Sequence, residues 1–148
     1  MTALAESLRS TARADGVEKF VVGAVVHCCG AVLVVRRNEL DDFLPGIEEL
    51  PSGGVEAGES LVEALDRELL EEVGFESGAI DDGFLERFDY LSASGRLTRQ
   101  FTVSVPLGAR AVRLSDEHSA ARWITAEDVI DTSCTLETQR VLEAWFRR

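Results

Sequence analysis

The chain has 148 residues, 45% hydrophobic and 28% charged. That is an ordinary globular balance, long enough for one domain over 1–148 with a core of its own. A formal net charge of -12 disfavours nucleic-acid backbones and anionic membranes as partners. No apolar run approaches the roughly 18 residues of a membrane span.

In chain order, MTALAESLRSTARADG lacks the apolar core of a secretion signal and reads as a short helix or a loose arm. Lys19 to His27 and Ala31 to Arg36 are rich in valine and read as strands around a hairpin turn at Cys28-Cys29-Gly30. Residues 38–49, with Asp41, Asp42, Pro45 and Gly46, read as a loop. Leu50-Pro51-Ser52-Gly53-Gly54 then leads toward Ser60-Leu61-Val62-Glu63, a capping box that starts a helix at about Leu61. Gly74 suits the left-handed position past the end of that helix. Leu61, Val62, Leu65, Leu69 and Val73 form its apolar stripe. Phe84 to Leu91 and Leu97 to Val105 read as paired strands, and Ala120 to Ile124 as a short one. Thr125 caps a short helix, TAEDVI. Leu136, Val141, Leu142, Trp145 and Phe146 are spaced for a final helix packed on the sheet. The alternation suits a mixed sheet between helices, an α/β class. Cys28 and Cys29 are adjacent and Cys134 is remote, which is neither a disulfide framework nor a zinc spacing. They read as buried strand thiols in a reducing, cytoplasmic setting.

On the helix of residues 61–73, Glu72 projects close to Leu61 and Leu65, Glu68 lies beside the stripe, and Glu71 comes next. Three like charges at the edge of a buried face repel one another and cost desolvation, so their ionised state needs a cation. Oxygen ligands with no His or Cys nearby select Mg²⁺, or Mn²⁺ as a substitute, over Zn²⁺. The plainer alternative is a solvated acidic face stabilised by Arg67. Such a face has no reason to sit against the apolar stripe.

The stretch Gly53 to Phe75, GGVEAGESLVEALDRELLEEVGF, fits G-x5-E-x7-R-E-U-x-E-E-x-G-U, where U is bulky and apolar. It resembles the signature of the Nudix (MutT-like) hydrolases at Gly53, Glu59, Arg67, Glu68, Glu71, Glu72 and Gly74. Phe75 departs from it, since the family usually has an aliphatic residue there. The resemblance implies the Nudix fold, a mixed sheet in an α/β/α sandwich. It also implies that Glu68, Glu71 and Glu72 ligate the metal, with the Gly53 carbonyl as a further ligand. By the same resemblance Arg67 orients Glu68, and Glu59 supports the loop–helix junction. Water would attack a diphosphate and release two phosphorylated halves.

Outside the box, Arg36 and Arg37 close the second strand, where many relatives place a phosphate-contacting arginine. Arg37 is preferred, against a plain surface role. Glu49 opens an E-L-P-S-G segment similar to those of members acting on ADP-ribose and nucleoside-diphosphate sugars, where this Glu joins the metal or substrate site. Ser52 replaces a usual small apolar or Gly residue. Glu117, six residues before Trp123, resembles the extra Glu that some members add as metal ligand or general base, with Asp116 its competitor. Tyr90 resembles a Tyr that accompanies dinucleoside-polyphosphate activity, although an aromatic on a strand is usually core. His118 reads as an exposed loop residue, His27 as structural, and Arg96 and Arg99 as a solvated hairpin tip.

The expected function is a Mg²⁺-dependent pyrophosphohydrolase of a small nucleotide. The substrate is a nucleoside triphosphate, oxidised ones included, or a nucleoside diphosphate linked to a sugar such as ADP-ribose. A box glutamate or Glu117 would take the proton of the water. A non-catalytic nucleotide sensor is the alternative, although such domains often lose box carboxylates and none is lost here. An RNA-cap hydrolase fits poorly with the acidic charge and the lack of a basic stripe. Homodimers are common in the family, but no apolar patch identifies an interface.

Overall fold

Two valine-rich strands, β1 (Lys19–Cys28) and β2 (Ala31–Arg37), lie at the centre of the computed structural model, which describes residues 2–41, 43–75 and 80–148. Met1 of the expected arm and Asp42 of the expected loop lie outside the described residues. Along β1 and β2, Val22, Ala24, Val26, Leu33 and Val35 face one apolar layer, while Val25, Val32 and Val34 face the other. Strands covered on both faces need such near-continuous apolar runs. Cys29 (φ 55) and Gly30 (φ 79) make the turn between them, two left-handed residues as a tight hairpin requires. Cys29 is therefore exposed at a turn corner, which corrects its expected burial, while Cys28 and Cys134 are buried.

The sheet runs β3 (Glu48–Glu49), β2, β1, β6 (Leu97–Pro106), β5 (Asp81–Leu91), with β4 (Ser52–Gly54) on β1 and β7 (His118–Ile124) on β2. β1 and β6 are parallel and β5 is antiparallel to β6, so the sheet is mixed as expected. β3 arises inside the expected loop because Glu48 and Glu49 pair with Arg36 and Val35. β4 pairs with β1 through Val22 and Gly53, which fixes the entry to the box against the middle of the sheet.

One face is covered by α1 (Thr2–Ala14) and α2 (Leu61–Val73), the other by α3 (Leu136–Phe146) and a 3₁₀ helix (Ala126–Asp131). The N-terminal segment is thus a helix, docked through Ala5, Leu8 and Ala12. Ser60 accepts from the Glu63 N–H at 3.1 Å, and Gly74 ends α2 at φ 81. Phe75 packs onto the α2 layer, which absorbs its departure from the signature. The expectation for Leu136 is corrected: it is 58% exposed in the first turn of α3, before the helix meets the sheet at Val141 and Leu142. Arg99 is corrected too. It lies within β6, only 7% exposed, held by Asp89 at 2.7 and 2.9 Å and by Asp15 at 3.0 Å. No described helix is long and apolar enough to cross a membrane.

Candidate active site

The first turns of α2 are tied to the preceding loop by Arg67. Its Nε and Nη2 donate to the two oxygens of Glu59 at 2.7 and 2.9 Å. Nη1 donates to Glu68 Oε1 at 2.7 Å and Nη2 to the Gly54 carbonyl at 2.9 Å. Arg67 and the Glu56 N–H together hold the Glu59 carboxyl down at about 2. This planar fork joins β4, the loop and α2 in one hub. Replacement Arg67→Ala leaves the half-buried Glu68 without its charge partner. We expect a loss of about 1–3 kcal/mol in denaturant-monitored stability, with Arg67→Lys recovering only part because an ammonium lacks the fork.

The three later glutamates of the box differ sharply in environment. Glu71 is 59% exposed in its side chain. Glu68 is half-buried, and burial raises its carboxyl against the pull of Arg67. Glu72 is 3% exposed and accepts a 3.1 Å bond from the Ser52 N–H. Burial first, then the charges of Glu68 and Glu49, push its carboxyl up to about 9. Gly53 lies directly against Glu68: a Cβ placed there would fall on the Glu68 carboxylate.

A second segment reaches the same place through the end of α2. Arg113 N–H bonds the Val73 carbonyl at 2.9 Å and Ser115 N–H the Glu72 carbonyl at 3.2 Å. Asn38 N–H then holds the Glu117 carbonyl at 2.9 Å. The register between β2 and β7 shifts at Arg36/Arg37, so that Ala120 pairs with Arg36 and His118 with Arg37. Such a bulge re-aims the side chains beside it. His118 is consequently 6% exposed, not an exposed loop residue. Its Nε2 lies 2.9 Å from Glu49 Oε1, and no described residue partners its buried Nδ1. One ligand atom each from Glu72, Glu117 and His118 lie within 4.8 Å of one another. The premise that no histidine is near the carboxylates is corrected by this geometry. Glu117, not Asp116, faces the cluster. Nothing in the spacing announces the bulge. The adjacency Glu117-His118 just before a strand is the one signal that could have found it.

Glu68, Glu71, Glu72, Glu117 and His118 line a polar cleft of about 430 Å³. Crowded carboxylates, two of them raised by burial, beside an imidazole nitrogen that no described residue partners fit a divalent cation as their common partner.

Arg37 is not a plain surface residue. It is clamped by Asp41 at 2.6 Å, by Glu49 at 3.2 Å and by the Phe43 carbonyl at 2.9 Å. Arg37, Glu49, Ser52 and Gly53 line both the polar cleft and an adjoining one of about 470 Å³. Phe43, Phe88 and Tyr90 also line the larger cleft, as does Gln100. Tyr90 is thus cleft lining, which corrects the default that it is core. Asp41, Phe43, Phe88 and Gln100 were not read as site residues in the sequence, because the folded loop and strand register bring them here.

A sequence description of the NUDIX domain matches residues 18–146. The Escherichia coli K12 protein named uncharacterized Nudix hydrolase YfcD is 31% identical over 150 residues, covering 98% of this chain and 81% of its own length. A Mycobacterium tuberculosis H37Rv protein with the provisional name 8-oxo-dGTP diphosphatase 2 is 38% identical over 113 residues, 75% of each chain. Among solved structures, the MutT protein of Methanosarcina mazei Go1 superposes with a TM-score of 0.73 at 25% identity, over 87% of this chain and 93% of its own.

Proposed function

The chain belongs to the Nudix family and is a hydrolase of phosphoric anhydrides, and we propose that it is a Mg²⁺-dependent pyrophosphohydrolase of nucleoside triphosphates, oxidised ones included. The observation that carries this reading is the junction of two clefts at Gly53: one polar and carboxylate-lined, the other walled by aromatic side chains. A nucleoside fits the second, a polyphosphate the first. The name of the Mycobacterium tuberculosis relative supports the triphosphate over the sugar-linked diphosphate.

In this reading the base lies against Phe43, Phe88 and Tyr90, with the Gln100 amide as a hydrogen-bonding group beneath it. Gly53, without a side chain, lets the phosphates pass into the polar cleft. Arg37 faces both clefts and pairs with a phosphate, its orientation held by Asp41 and Glu49. Glu68, Glu71 and Glu72 would hold the cation, with the Gly53 carbonyl as a further ligand. The bound cation would neutralise the phosphate oxygens and acidify the attacking water. Glu117, the exposed member of the cluster, takes the water's proton. The water oxygen joins one phosphorus, the bridging P–O bond breaks, and a nucleoside monophosphate and pyrophosphate leave.

A pH dependence follows from Glu72. Its folded value of about 9 lies above the ordinary 4.5. Between those values the cation-free folded chain holds an extra proton, and this group's contribution to stability falls as pH rises. Cation binding expels that proton. Affinity for Mg²⁺ should therefore climb toward about tenfold per pH unit below about pH 9. Calorimetric titration in buffers of different ionisation heat measures it directly, and a pH-independent affinity would show Glu72 to be ionised already.

The reading is tested by Mg²⁺-dependent hydrolysis of the common nucleoside triphosphates, 8-oxo-dGTP, ADP-ribose, UDP- and GDP-sugars, NADH and diadenosine polyphosphates, with products separated by chromatography. Release of monophosphate and pyrophosphate from triphosphates is the expected result. Turnover confined to sugar-linked diphosphates would reassign the substrate. Binding without any turnover would favour the sensor.

A further inference from the structure

His118 is the group in this site that the box does not explain. It is 6% exposed, and its two ring nitrogens are treated differently. Nε2 lies 2.9 Å from Glu49 Oε1, and Glu49 is itself paired with Arg37 at 3.2 Å. A carboxylate oxygen accepts, so Nε2 is the ring nitrogen placed to donate to Glu49. Nδ1 is then the ring nitrogen left to accept. That nitrogen is buried, and no described residue satisfies it.

A buried acceptor without a donor is costly unless something electron-deficient meets it. The polar groups closest to the ring are carboxyl groups. A ring nitrogen of His118 and carboxylate oxygens of Glu72 and Glu117 lie within 4.8 Å of one another. Only a cation or a proton satisfies all three. The outer half of the arrangement matches how proteins prepare a ligating histidine: a carboxylate takes the N–H of the far nitrogen, fixing tautomer and ring orientation. Arg37 and Glu49 supply that support here, which gives the Arg37–Glu49 clamp a purpose beyond substrate contact.

We propose that His118 Nδ1 is a metal ligand, forming with Glu72 and Glu117 a cation position that prefers Mn²⁺ to Mg²⁺. The proposal rests on the metal-dependent reading above and adds to its carboxylate ligands a nitrogen donor. Mg²⁺ strongly favours oxygen in near-ideal octahedral geometry, whereas a nitrogen donor favours a first-row transition metal, of which Mn²⁺ is the one that also suits carboxylates. Glu72 would be shared between this position and the box carboxylates, and Glu117 would bind through one carboxylate oxygen, leaving the other to take the water's proton.

The test is pulsed electron paramagnetic resonance of Mn²⁺ bound to the full chain without nucleotide. A ¹⁴N coupling from a directly bound imidazole is expected. It should turn into a ¹⁵N coupling in protein grown with ¹⁵N-histidine, a measurement that needs no variant. His118→Gln keeps an amide near the Nε2 position for Glu49 while deleting Nδ1. That variant should lose the coupling and weaken Mn²⁺ binding by about 10- to 100-fold or more, with a much smaller change for Mg²⁺ in competition. Bound Mn²⁺ with no histidine coupling would overturn His118 as a ligand and leave the carboxylate site standing. A coupling that persists in His118→Gln would overturn it equally. Failure to bind Mn²⁺ at all would overturn both this ligand and the metal-dependent function. Should His118→Gln not fold, the ¹⁵N experiment on the unaltered chain decides alone.

Discussion

Glu72→Gln is expected to leave the cation-free protein folded with nearly unchanged thermal stability, and to remove Mg²⁺-dependent hydrolysis. Burial holds the native carboxyl at about 9, so near neutral pH the cation-free chain already carries a neutral group there. Gln has the same shape, and its amide oxygen can still accept the Ser52 N–H. What changes is the ability to become an anion when a cation arrives. The drop in kcat should exceed the about 10- to 100-fold cost of losing a mere supporting partner. Melting curves with and without Mg²⁺ give the second readout: the metal-induced rise in Tm should vanish in the variant. Full turnover by Glu72→Gln would remove Glu72 from the metal site.

Gly53→Ala should be nearly as damaging, for a different reason. The φ of Gly53 is not left-handed, so backbone strain is not the issue. Space is: the new Cβ would meet the Glu68 carboxylate. Either Glu68 leaves its 2.7 Å contact with Arg67 or β4 shifts on β1. Overpacking of this kind costs about 1–3 kcal/mol of stability, and a displaced Glu68 could not join Glu72 in the proposed cation site. Gly54→Ala is the matched control, because its Cβ would meet only Lys19 Cε, at 3.7 Å. Activity should collapse in the first variant and largely survive in the second. Equal activity in both would show that Glu68 has room to spare and that Gly53 is a glycine for another reason.

The parts of the fold that sequence made legible are those settled by neighbours in the chain. Ser60, the apolar stripe and Gly74 mark α2 to the residue, because capping and 3.6-residue periodicity act within one turn of helix. The valine runs mark β1 and β2 for a similar reason. Misreadings gather where a long-range pairing decides. β3 exists only because β2 offers it an edge. Arg99 looks like a hairpin tip until Asp15, at the end of α1, reaches it from 84 positions away. Tyr90 and Phe88 alternate with polar residues as strand residues do, and only the neighbouring loop with Phe43 turns their face into a cleft wall.

By itself, then, the sequence determined the family, the helix that carries Glu68, Glu71 and Glu72, and the role of Arg67 as their neighbour. Residues three and four apart on a helix share a face whatever the rest of the chain does. Tertiary structure alone decided which other groups meet that face. Pairing of β4 with β1 sets Gly53 against Glu68, and the shifted register of β2 and β7 turns His118 inward beside Glu117 and Glu72. Those contacts span 45 residues or more between Glu72 and its partners Glu117 and His118. A slip of one position in either strand pairing would send the side chains to the opposite face of the sheet, and no local pattern encodes that choice.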